Sequence, residues 1–153
     1  MIAVVQRVTS ASVTVKATKY HESIEAGLCV LLCAEHGDTD QEAKWMAQKL
    51  ARLRIFWDEQ DKMNRSIQDA GGEILLISQF TLAGDCNKGN RPSFIRAADP
   101  EQGEKLYQQV AFFLNDEQKL VVKTGQFGAM MQINILNDGP VTIILAKGKY
   151  HTD

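Results

Sequence analysis

Met131-Gln132-Ile133-Asn134-Ile135-Leu136-Asn137-Asp138-Gly139-Pro140-Val141-Thr142-Ile143-Ile144-Leu145-Ala146 is the stretch on which the reading of the fold turns. Two apolar, strand-like runs meet at residues 137–142. Asp-Gly between such runs predicts a tight hairpin, with the last two strands on either side of it. Pro140 has no N–H to give to a ladder and restricts the backbone of the glycine before it. Taken alone, the segment reads as an ordinary turn with a trans proline. A cis bond would instead point the carbonyls of Gly139 and Pro140 roughly the same way, as a rigid pair able to receive an ammonium group.

Upstream, residues 2–8 form a β-rich run, and Ser12-Val13-Thr14-Val15-Lys16 alternates polar with apolar residues as a half-buried strand does. Residues 17–23 are polar and are expected to turn the chain. Residues 27–34 (GLCVLLCA) are apolar throughout, which predicts a strand covered on both faces. Thr39 and Glu42 make a capping box for a first helix with Ala43, Met46, Ala47, Leu50 and Leu53 on its apolar face. A strand is expected over residues 54–58. Gly71-Gly72 precede a buried strand, Glu73-Ile74-Leu75-Leu76-Ile77, that runs into Ser78-Gln79-Phe80-Thr81-Leu82. Asp99 and Pro100 open a second helix with Leu106, Tyr107, Val110, Phe113 and Leu114 inward. A strand over residues 120–123 and a turn over residues 125–128 follow. The fold class expected is α+β: a mainly antiparallel sheet closing toward a barrel, with two helices on one side, in a single domain spanning residues 1–153.

Composition excludes several functions. The chain of 153 residues has 44% hydrophobic and 24% charged residues and a formal charge of −2. That balance argues against a protein that coats nucleic acid through its phosphates, yet allows one that grips only an RNA end. The three cysteines, Cys29, Cys33 and Cys86, lack CxxC spacing and suit a reducing cytoplasm. Neither a secretory leader nor an apolar run of membrane-spanning length is expected, so no membrane partner is either. His21, His36 and His151 fall in no metal-ligand spacing, and neither a metal nor a cofactor is expected. GxSxG, Walker and GxGxxG motifs are missing. The remaining candidate for chemistry is Ser78-Gln79-Phe80-Thr81-Leu82, where a buried strand ends and backbone N–H groups become free for a ligand. On the residues alone, a strand end satisfied by Ser78 and Thr81, with Phe80 packed, is the favoured reading over catalysis.

Together, Ser78-Gln79-Phe80-Thr81-Leu82 and Asn137-Asp138-Gly139-Pro140-Val141-Thr142 resemble the two signature motifs of the D-aminoacyl-tRNA deacylases. Val5-Gln6-Arg7-Val8, Ala11-Ser12-Val13-Thr14-Val15, Asn90-Arg91-Pro92-Ser93-Phe94 and Gly125-Gln126-Phe127-Gly128-Ala129-Met130-Met131 extend the resemblance over nearly the whole chain. Cys29 and Cys33 depart from it, standing where Leu and Gly are expected, and residues 112–118 are unfamiliar.

The resemblance implies a cytoplasmic homodimer that cleaves the ester joining a D-amino acid to the 3′-terminal adenosine of tRNA. Glycyl-tRNA, including glycine mischarged on the alanine tRNA, would be a second substrate. It implies a cis Gly139–Pro140 bond reaching into the partner's pocket, where the carbonyls hold the substrate amino group and exclude L side chains, and it makes Arg7 the brace of that loop. The Phe80 N–H would hold the ester carbonyl oxygen, with Ser78 and Gln79 beside it. Thr81 is the obvious side-chain nucleophile, but the sequence offers it no base. The ribose 2′-OH would then assist water, with Thr81 as a positioning residue. Phe127 and Met131 would line the adenosine pocket, and Lys88, Arg91 and Arg96 could meet acceptor-end phosphates. A non-catalytic RNA-binding dimer and a general amino-acid esterase are the alternatives.

Overall fold

In the computed structural model, which describes residues 1–151, the first strand is long enough to serve three partners. Strand β1 (Ile2–Val15) is followed by β2 (Tyr20–Ile24) and β3 (Gly27–Cys33). The first half of β1 pairs antiparallel with β3, from Ile2↔Cys33 to Val8↔Gly27, and its second half with β2, from Ala11↔Ile24 to Val15↔Tyr20. Residues 17–23 are therefore only partly a turn. Beyond it, Tyr20 and Glu22 are half-buried and Ile24 is buried, while His21 and Ser23 face out. One polar face in solvent made this strand read as loop.

After β3 come α1 (Asp40–Arg52), the short strands β4 (Phe56–Trp57) and β5 (Met63–Arg65), α2 (Ile67–Ala70), and β6 (Glu73–Ser78). The capping box at Thr39 and Glu42 forms as expected, and Ala43, Met46, Ala47 and Leu50 are buried. The strand expected over residues 54–58 is cut to the two residues of β4, which pair with β5 across the charged turn. The single turn α2 was not anticipated; its marks are Ser66 capping Asp69, buried Ile67 and a left-handed Gly71 at its end. A 3₁₀ turn, Phe80–Ala83, leads to α3 (Pro100–Phe112), whose end continues as a π turn, Phe113–Glu117. Strands β7 (Val122–Thr124) and β8 (Gln132–Ala146) complete the chain.

The expected antiparallel sheet is in fact mixed. β3 pairs parallel with β6 and β6 parallel with β7, because the connections between them carry helices across the sheet face. Among the described residues the α-helices number three rather than two. The largest correction concerns β8. No hairpin forms at Asp138-Gly139; β8 is one continuous strand paired with β1 from Thr14↔Gln132 to Ile2↔Ala146. Gln6 pairs with Thr142 and Val8 with Asn137, so residues 138–141 bulge out of a ladder that resumes on both sides. Asn137 makes the bulge stable by donating through Nδ2 to the carbonyls of Arg7 and Val141, each at 3.0 Å.

The sheet divides two apolar cores. Ala3, Val5, Leu28, Val30 and Leu76 meet α1 and α3 in one; Val8, Ala11, Val13, Cys29, Leu75 and Ile77 fill the other, inside the curling sheet. Strand β3, which serves both, is buried on both faces as its sequence predicts. The sheet nearly closes where β2 approaches β7: Tyr20 donates its hydroxyl to the Thr124 carbonyl at 2.7 Å, and Lys123 lies 3.5 Å from Glu22. Among the described residues no helix is long and apolar enough to cross a membrane.

A buried polar cluster ties the chain ends to the start of α1. The Met1 α-amino group lies 3.1 Å from Glu35 Oε2 and 2.7 Å from Asp38 Oδ2, and donates to the Lys147 carbonyl at 2.6 Å. Glu35, 1% exposed, also takes Arg96 at 2.6 Å and His151 at 2.5 Å. Burial pushes the Glu35 carboxyl up, but hydrogen bonds from His151, the α-amino group and Arg96 outweigh it and hold Glu35 below its ordinary value. At Asp38 burial prevails and the shift is upward.

A lowered folded-state pKa gives stability that is present above the unfolded value and lost as pH falls through the folded one. Glu35→Gln should therefore lower stability at pH 7 by about 3 kcal/mol, as expected for a broken buried ion pair. In urea unfolding the gap between the two proteins should close as pH falls below about 4.

Candidate active site

The parallel strands β3 and β6 end side by side, at Cys33 and Ser78, and β7 ends nearby at Thr124. The carboxyl ends of parallel strands open a crevice where loops can diverge. Here the crevice is a cleft of about 650 Å³, within the range of small-molecule sites. One wall is the end of β6 with Ser78, Gln79 and Phe80; another is the segment after β7 with Phe127 and Met131. Among the described residues no Asp, Glu, His, Lys or Arg lines it.

Gln79 donates its backbone N–H to the Leu32 carbonyl at 2.8 Å, which pins the end of β6 to β3. The chain then tightens into the 3₁₀ turn that Phe80 opens. The first N–H groups of a helical turn have no acceptor within it, so the Phe80 N–H is not used by its own turn. The Cys33 thiol reaches the Phe80 carbonyl at 3.5 Å and the Ala34 carbonyl at 3.2 Å. The Phe80 ring is 59% exposed and meets Phe94 edge-on at 5.2 Å. Thr81 is exposed, and its hydroxyl accepts from the Gln79 side-chain amide. That hydrogen bond orients Thr81 without activating it, because an amide donor cannot take its proton.

On the far wall, Phe127 packs on Tyr107 with ring centroids 5.9 Å apart, and the Tyr107 hydroxyl donates to the Leu76 carbonyl at 2.7 Å. Gly125 makes room for Met131: a Cβ there would lie 2.5 Å from the Met131 sulfur. Of the sequence motifs at residues 78–82 and 125–131, the cleft brings together residues 78–80 and 127–131; Thr81 is not in its lining.

Gly139 and Pro140 do not line this cleft either but stand exposed on the β8 bulge. The peptide bond between them is cis, and Gly139 has φ +137°, a left-handed value that disfavours any side chain; a Cβ would also meet Val141 Cγ2 at 2.7 Å. Arg7, buried to 1% exposure, is no surface ion pair. Its Nε donates to the Asp138 carbonyl at 3.3 Å and lies 3.1 Å from Asp138 Oδ2, and Nη1 donates to the Ile55 carbonyl at 2.6 Å.

Other expected residues sit apart. Lys88 and Arg91 are exposed on the loop before α3, whereas Arg96 is engaged by Glu35. Sequence reading missed the contributions of Cys33, Phe94 and Tyr107 to the cleft, and the bridge made by Asn137. Phe94 lies within the quoted Asn90–Phe94 motif, a signal that was at hand. Among the described residues no group of three His, Cys, Asp or Glu side chains could hold a metal ion.

The model of one protein family, described as D-Tyr-tRNA(Tyr) deacylase, matches residues 4–146. The chain belongs to that family. Membership puts it among the ester-cleaving hydrolases. Proteins named D-aminoacyl-tRNA deacylase from Variovorax paradoxus and Cytophaga hutchinsonii are 54% and 52% identical to it over 145 residues. These alignments cover 95% of this chain and 98% and 96% of theirs. Among solved structures, the c-Myc DNA unwinding element binding protein is 44% identical, with a TM-score of 0.89 over 97% of this chain and all of that one. A chain described as a probable eukaryotic D-amino acid tRNA deacylase shares the fold at 16% identity, with a TM-score of 0.79 over 94% of this chain and 97% of that one.

Although Cys33 borders the deacylase-family cleft, burial and the nearby Glu35 charge push its thiol up to about 11, and burial takes Cys29 to about 12. The thiolate is the reactive form. Iodoacetamide at pH 7.5 should therefore label exposed Cys86 alone in the native protein and all three cysteines after unfolding, as read by intact mass.

Proposed function

We propose that the protein, acting in the cytoplasm as one domain over residues 1–153, hydrolyses the ester of D-aminoacyl-tRNA and of glycyl-tRNA, including glycine mischarged on the alanine tRNA. It releases the amino acid and the tRNA. The observation that carries this reading is the uncharged cleft bounded by the Ser78-Gln79-Phe80 turn and by Phe127 and Met131. Among the described residues its lining holds no carboxylate, imidazole or amine, and burial pushes the Cys33 thiol and the Tyr107 hydroxyl up, so it suits a reaction whose proton-handling group arrives with the substrate. The 2′-OH of the terminal ribose, adjacent to the ester, is such a group. The Phe80 N–H holds the ester carbonyl oxygen and the cleft fixes the attacking water's approach. The adenine lies against Phe127 and Met131, Ser78 and Gln79 shape the turn, and exposed Lys88 and Arg91 meet acceptor-end phosphates.

Stereochemical selection falls to Gly139 and Pro140, acting in the cleft of a second copy. Support for this comes from their exposure on the β8 bulge and their distance from the lining of their own cleft. Beyond β1, β8 has no partner among the described residues, and Leu136 and Ile144 on it are largely exposed, an edge suited to pairing with a homodimer mate. The carbonyls of Gly139 and Pro140 hold the substrate amino group, and an L side chain then collides with the bulge. Glycine, lacking a side chain, passes.

Incubation with matched D-tyrosyl-, L-tyrosyl- and glycyl-tRNA tests this reading. D and glycyl esters should be cleaved and the L ester left intact. Cleavage of all three, or of simple amino-acid esters equally well, would make the protein a general esterase. Binding without turnover would make it a nucleic-acid-binding module, the property in the name of the 44% identical structure.

The roles of Thr81 and the ribose separate cleanly. Thr81→Ala should retain activity within about tenfold, whereas D-tyrosyl-tRNA ending in 2′-deoxyadenosine should lose at least about a hundredfold, the usual scale of acid–base assistance. The reverse pattern in single-turnover rates would restore Thr81 as the nucleophile.

A further inference from the structure

A guanidinium taken out of water must have its charge and its five N–H donors compensated, or its desolvation works against the fold. Around Arg7 the compensation is incomplete. Nε is taken by Asp138 and Nη1 by the Ile55 carbonyl, but buried Nη2 has no hydrogen-bond partner among the described residues. An electron-rich group beside it is the Trp57 indole, whose ring centroid lies 4.7 Å from Arg7 Cζ. A π face at that distance attracts a cation, and more strongly where water is excluded.

Trp57 follows Ile55 by two residues and lies in β4, which β5 holds in place through Phe56↔Arg65 and Trp57↔Met63. One short segment thus gives the guanidinium a carbonyl and a ring, while Asp138, next to Gly139, accepts from Nε. A Cβ built on Gly139 would lie 3.2 Å from Arg7 Nη2, so guanidinium and bulge are in close contact. Nothing about Trp57 suggests a core role, since it is 48% exposed.

We infer that Trp57 is a positioning residue for the Gly139–Pro140 segment, acting through Arg7 and so setting how strictly L substrates are refused. This rests on the reading of that segment as the stereochemical filter. Without the ring, Arg7 keeps the Ile55 carbonyl but loses the surface that compensates its orphan nitrogen. The guanidinium then turns toward water and its hold on Asp138 slackens. The bulge gains freedom, and an L side chain meets a softer obstacle.

The test compares Trp57→Ala, Trp57→Phe and Gly139→Ala with the parent protein. The measurements are kcat and KM for D- and L-tyrosyl-tRNA, Tm, and the Arg7 Nε–H resonance. Trp57→Ala should lower the D-to-L ratio of kcat/KM about two- to fivefold, the range of a cation–π contact at a partly exposed site. The change should come from faster L-ester cleavage, with Tm within about 2 °C of the parent and the Arg7 resonance moved by loss of the ring current. Trp57→Phe, which keeps a π face, should recover most of the ratio. An unchanged ratio in Trp57→Ala, while Gly139→Ala lowers it, would overturn the inference and leave the filter standing. No change in either variant would overturn both. Equal loss on D and L esters with a lowered Tm would make Trp57 a structural residue only, and also overturns the inference.

Discussion

Antiparallel pairing between β1 and β8 runs almost the full length of both strands, and it must accommodate more residues on β8 than on β1. The surplus has to leave the ladder somewhere. It leaves at residues 138–141, beside buried Arg7, where a carbonyl, a carboxylate and the Asn137 amide absorb what the ladder gives up. Because the ladder resumes on both sides, the bulge is anchored at two ends rather than hung on a hairpin tip. Held at both ends, the exposed Gly-Pro segment has less freedom than a hairpin tip, as the proposed exclusion of L side chains requires.

The same sheet makes the cleft. Parallel pairing of β3, β6 and β7 brings three carboxyl ends to one side, and helices α1 and α3 cover the opposite core. The 3₁₀ turn begins where β6 runs out of partners. A backbone donor that its own turn does not use follows from the topology and needs no special side chain. The uncharged lining is in keeping with this: what the cleft presents to a ligand is shape, aromatic and thioether surface, and main-chain groups.

Local rules carried much of the fold. The caps at Thr39 and Asp99, the doubly buried β3 and the end of β6 at Ser78 were all legible, because each depends on residues within a few positions of one another. The errors arose where distant partners decide. Asp138-Gly139 has the chemistry of a hairpin, yet the ladder offered by β1 continues past it. The polar stretch holding β2 becomes a strand only because the second half of β1 needs a neighbour. Strand direction was misjudged for the same reason: parallel and antiparallel partners present similar apolar runs. At the site, the motif residues were legible as strings, whereas Cys33, Phe94 and Tyr107 reach the cleft by tertiary packing. Arg7 could be named but not its burial, and nothing in the local sequence pairs it with Trp57.

The cleft's lack of charged lining bears on how the protein tolerates change. Main-chain donors and acceptors are present whatever the side chains are, so substitution reaches them only by moving the backbone. The positions to which such a site is most sensitive then lie in the scaffold beneath it: the glycine that makes room for Met131, and the Tyr107 hydroxyl that holds the Leu76 carbonyl. On the proposed mechanism, substitution would reach the reaction indirectly, through the backbone.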